Sequence, residues 1–150
     1  VTSKGVAGCA PHPEASRGAE YARNRSGVRG IMKQYFKSSS AFYHAMVNVQ
    51  NIRVGTRCTQ DLTSAIDHLV VILAMKQRIL YRMSVFGPRS FEQCFSESVC
   101  AVLEEHGVTA EGLGLWFKVE VSMSGLLSNR AATPIIRDTK LVMSAWRKLE

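Results

Sequence analysis

Between Thr59 and His106 apolar residues return every three or four positions, and the run is interrupted only at Gly87-Pro88. Leu62, Ala65, Ile66, Leu69, Ile72 and Leu73 make one broad stripe, which predicts a helix, or two end to end, from a Thr59 cap to about Val85. Gly87 stops it and Pro88 starts the next, because the missing N–H of proline costs nothing in a first helical turn. Phe91, Phe95, Val99, Val102 and Leu103 then share a face up to His106, and Gly107 suits the left-handed residue that closes a helix. Stripes of this kind cannot remain in water, so other elements of the chain must pack against them.

The flanking segments read as further helices. Val28, Ile31, Met32, Tyr35 and Phe36 predict one from about Gly27 to Lys37, broken by Ser38, Ser39 and Ser40. Phe42, Met46, Val49 and Ile52 suggest a shorter helix or helical turn leading toward Gly55. Thr109 caps another, with Glu111 in its first turn and Leu113, Trp116, Val119, Met123, Leu126 and Leu127 on its inner face. Trp116 to Met123 also alternates with the period of a strand, which is the alternative for that stretch. After a linker at Asn129 to Thr133, Pro134 opens a last helix with Ile135, Leu141, Val142, Ala145, Trp146 and Leu149 on its apolar side. Residues 1–26, rich in Gly, Ala, Ser, Pro and Arg, read as a flexible basic arm. The expectation is an all-α protein: one domain over residues 27–150, with five to seven helices in a compact bundle or an orthogonal array.

The chain has 150 residues, of which 46% are hydrophobic and 21% charged, the composition of a globular domain. Its longest apolar run, Leu69 to Met75, is too short to cross a bilayer. It carries no secretory signal pattern and no initiating Met, and reads as processed or cut from something longer. Cys9, Cys58, Cys94 and Cys100 form no CxxC pair and no metal spacing, which points to reduced thiols and a cytoplasmic setting. Asn24-Arg25-Ser26 is a formal glycosylation sequon without an announced secretory route.

No phosphate loop, His-Glu-x-x-His, nucleophile elbow or close carboxylate pair is present, and His12, His44, His68 and His106 are scattered. These absences argue for a binding protein rather than an enzyme. A net charge of +7 favours acidic partners, either nucleic acid or an acidic protein, met through the arm and surface arginines as in a viral or assembly protein.

Several segments resemble parts of a globin. Phe86-Gly87-Pro88-Arg89-Ser90-Phe91, continuing to Leu103, is similar to the start of the globin G helix, and Thr109 to Trp116 to the start of the H helix. Ser26 to Phe42, with Tyr35-Phe36-Lys37-Ser38, resembles the B helix running into C. Arg53-Val54-Gly55-Thr56-Arg57 resembles the early E helix. Thr139 to Trp146 is similar to the A helix but stands at the far end, the order of a circularly permuted globin domain of the androglobin kind or of a piece cut from a tandem globin. The resemblance covers about Ser26 to Asn129 and implies a globin-like binding or sensory module with haem as cofactor. It departs from the family at the iron: the proximal position, counted back from Pro88 and Phe91, falls on Leu80 or Tyr81, with Gln77 reachable only by an insertion, the distal position on Val54 or Arg57, and none is histidine. What it implies is a degenerate haem site with Tyr81 as proximal ligand, Arg57 as distal donor and Phe42 against the ring.

Overall fold

The computed structural model describes residues 27–37, 40–122 and 130–149. The expected basic arm at residues 1–26 lies outside them. Three strands come first: β1 (Ile31–Tyr35), β2 (Ala41–Val49) and β3 (Ile52–Gly55). Helix α1 (Leu62–Phe86) and a 3₁₀ turn (Pro88–Ser90) lead into α2 (Phe91–Glu105) and the single turn α3 (Ala110–Leu113). The chain ends with β4 (Trp116–Ser122), β5 (Arg130–Ala132) and α4 (Thr139–Leu149). The strands form one antiparallel sheet in the order β1-β2-β3-β4-β5.

This is a mixed α and β architecture, and the all-α reading, whether globin-like array or helical bundle, is overturned. The segments read as the first two helices are β1, β2 and β3. Beyond Leu113 the expected helix is replaced by β4, so the strand alternative for Trp116 to Met123 is the one the chain adopts as far as Ser122. Every segment on which the globin resemblance rested before Thr59 therefore lies in or beside a strand.

The reason is visible in the register. Val49 and Ile52 pair across the two-residue turn Gln50-Asn51, and this hairpin sets the alternation of β2 and β3. Ile31, Ala45, Val47, Val49, Ile52, Val54, Phe117 and Val119 all fall on one side of the sheet and are buried. Against them pack Ala65, Leu69, Ile72, Met75 and Ile79 of α1, Phe95 and Val99 of α2, and Val142 and Met143 of α4. Phe95 meets Phe117 edge-on at 5.5 Å between ring centroids, tying α2 to the middle of the sheet. Among the described residues, helices cover this side only.

The two long helices form as the spacing predicts, with one correction at the start. Asp61, not Thr59, caps α1, its carboxylate accepting from the N–H groups of Thr63 at 3.1 Å and Ser64 at 3.2 Å. Thr59 instead makes an isolated bridge to Tyr43. Gly107 closes α2 with φ of 62°, and Thr109 caps α3 by accepting from Gly112 N–H at 2.9 Å. Ile135 and Ile136 precede α4, and Ile136 bridges to Phe117. Cys58 is disulfide-bonded, against the expectation of reduced thiols, while Cys94 and Cys100 are free. No helix among the described residues is long and apolar enough to cross a membrane.

Candidate functional site: a basic concavity between two helices

The Gly87-Pro88 break turns the chain through the 3₁₀ turn and into α2 without a side-chain cap. Ser90, at the N-cap of α2, uses its hydroxyl to bond Gly87 C=O at 2.7 Å, leaving the first N–H groups of the helix uncapped by it. Arg89 precedes it. Across from this turn runs α4, held by buried Val142 and Met143 and by Trp146, whose ring lies 4.7 Å from that of Phe91. Between α2 and α4 opens a concavity of about 730 Å³.

Its lining sorts by charge. Arg89, Lys140 and Arg147 are cationic, Ser90, Gln93 and Ser96 neutral and polar, Met143 and Trp146 apolar, and Glu92 is the one carboxylate. Glu92 is already taken by Arg147, Nε to Oε1 at 2.6 Å. The remaining acids of α2 that make ion pairs are turned the other way, Glu97 to Arg82 and Glu105 to Arg78 on α1. Gln93 also donates to Glu97, and that bond, followed by Arg82, holds the Glu97 carboxyl below the usual range. Arg89 and Lys140 are left without an ion pair among the described residues.

A second observation belongs to the same cavity. The Trp146 indole N–H is buried and has no hydrogen-bond partner. A buried donor left unpaired costs about 1–3 kcal/mol, so such groups in folded proteins usually have a partner. Arg89 and Lys140, neither in an ion pair among the described residues, thus share one concave surface with Gln93 and Ser96. No histidine lines it, and no group of three His, Cys, Asp or Glu among the described residues is placed to hold a metal.

The residues named for haem are not gathered in this way. Tyr81 is 70% exposed on the outer side of α1. Arg57 follows β3, its backbone N–H bonded to Leu113 C=O and its stem against Gly114. Phe42 lies on β2 edge-on to Phe36 at 4.9 Å. None of the three lines this concavity. Sequence reasoning passed over Arg89, Lys140, Arg147 and Trp146 as a set, although Lys140 and Arg147 stand seven residues apart, the spacing that places two side chains on one helix face. The missing signal was the position of Arg89, which only the packing of α2 on α4 brings alongside. No protein-family model, no curated protein and no solved structure matches the chain.

Proposed function

We propose that this protein is a binding module without catalytic function that holds the phosphate backbone of a nucleic acid in the concavity between α2 and α4. The observation that carries the reading is the convergence there of Arg89 and Lys140, both without acidic partners among the described residues. The excess of 19 Lys and Arg over 12 Asp and Glu supports it, since a positive field raises the encounter rate with a polyanion. Phosphate contacts of this type attract without reading sequence.

The test is fluorescence anisotropy with a labelled single-stranded oligonucleotide at several salt concentrations. Two phosphate contacts predict a slope of log K against log salt of about −1.4 on a single strand, or roughly a 7-fold loss of affinity from 50 to 200 mM salt. Charge reversal of Arg89→Glu together with Lys140→Glu is expected to remove most of that affinity, while Lys76→Glu on α1 leaves most of it. Binding that ignores salt, or that survives the double reversal, refutes the reading. Binding of an acidic peptide in preference to the oligonucleotide assigns the site to the other polyanion class and overturns the nucleic-acid assignment.

A further inference from the structure

The side of the sheet that no helix among the described residues covers carries a second, smaller cavity. Met32 and Gln34 of β1, His44 and Met46 of β2, Arg53 of β3, and Trp116 and Lys118 of β4 line it, with Ile135. Its floor exists because residue 55 is glycine. A Cβ there would stand 2.2 Å from Trp116 Cζ2, so the indole lies directly against the backbone of β3. The indole N–H is bonded to Thr56 C=O at 2.9 Å, which fixes the ring and leaves its surface, not its donor, as the element offered.

The polar side of this cavity is incomplete. Arg53 gives Nη2 to Glu120 at 2.8 Å, and Lys118 Nζ shares the same carboxylate at 3.6 Å, so two cations have one acid between them. The Arg53 Nε–H is buried and has no acceptor. His44, 5% exposed, is held neutral: burial first and then the Arg53 guanidinium push it down to about 4. A local positive charge thus faces thioethers and an indole. The cavity measures about 140 Å³, below the roughly 300–1,000 Å³ of sites for drug-sized molecules, and suits a single ring.

We infer that this cavity binds a small ring acid, one flat aromatic or heteroaromatic ring bearing an anionic group. The ring sits among Met32, Met46 and Trp116, and the anion pairs with the Arg53 guanidinium and Lys118. The site is on the face of the sheet opposite the helices and does not depend on the polyanion reading. Thioethers are polarisable and adapt to a ring edge, which favours a ring over an aliphatic chain.

Isothermal titration of the whole chain with benzoate and nicotinate tests this, with acetate as the anion lacking a ring and uridine monophosphate as a ring acid too long for the cavity. Saturable binding of benzoate or nicotinate supports the site, and binding of the nucleotide alone overturns it. Arg53→Gln is expected to weaken that binding at least ten-fold, and Met32→Trp to abolish it by filling the cavity. Lys118→Gln, which leaves the Arg53 to Glu120 pair intact, provides the same readout should Arg53→Gln not fold. The double reversal Arg89→Glu with Lys140→Glu is expected to leave it unchanged. No heat from any ring acid at millimolar concentration, acetate binding as tightly as benzoate, or affinity indifferent to Lys118→Gln and Met32→Trp overturns the inference.

Discussion

Gly55 and Trp116 are directly opposite in the pairing of β3 with β4, and the indole occupies the space that any side chain at residue 55 would need. Gly55→Ala therefore forces the ring of Trp116, 8% exposed, out of its place. The expected loss is about 1–3 kcal/mol of stability with a red shift in tryptophan emission, measured by urea unfolding. Unchanged stability and emission would contradict the described packing. His44 makes a second prediction at this scale. Its folded value of about 4 lies below the ordinary 6.5, so between those values the unfolded chain binds the extra proton. Stability from His44 is thus complete above pH 6.5, declines as pH falls toward 4, and is gone below it. Between pH 7.5 and 5.0 the unfolding free energy is expected to drop by about 2 kcal/mol more in the native protein than in His44→Gln. His68 is also shifted down, mainly by burial and then by Arg57, and is present in both, so the difference isolates His44. Equal pH dependence in the two proteins would place the imidazole in solvent.

At the scale of elements, helices and strands were not equally legible. Helices α1 and α2 follow one period without interruption, and their ends at Gly87 and Gly107 are marked by residues whose chemistry stops a helix. The strands β1 and β2 hide their alternation because their outward positions are also apolar or half-covered: Met32, Phe42 and Met46 look like members of a helical stripe. β4 shows its alternation, Phe117, Val119 and Val121 toward the helices and Trp116, Lys118 and Glu120 away from them. The apolar residues that continue past Ser122 favoured the longer helical reading. The two readings separate at Phe117, which is fully buried in the sheet and was not on the inner face of the expected helix. Phe117→Ala is expected to cost about 3–5 kcal/mol, whereas Tyr81→Ala, at the exposed position the globin resemblance made a haem ligand, stays within about 0.5 kcal/mol. Reversed magnitudes in urea unfolding would restore the importance of Tyr81 and contradict the sheet.

Over the whole molecule, the helices among the described residues pack on one side of the sheet, and each side carries a different kind of concavity. The positive charge was legible from the composition, but its location was not, because Arg89 and Lys140 lie 51 positions apart in sequence. They converge only through the seating of Trp146 on Phe91. Salt bridges on α2 complete the sorting by turning Glu97 and Glu105 toward α1 and away from the cavity. The most direct test of this account is amide chemical-shift mapping during titration with a single-stranded oligonucleotide. Perturbations confined to Arg89–Ser96 and Lys140–Arg147, together with a shift of the Trp146 indole N–H, are the result it predicts. Perturbations confined to the strands, or none at all at low salt, would contradict it.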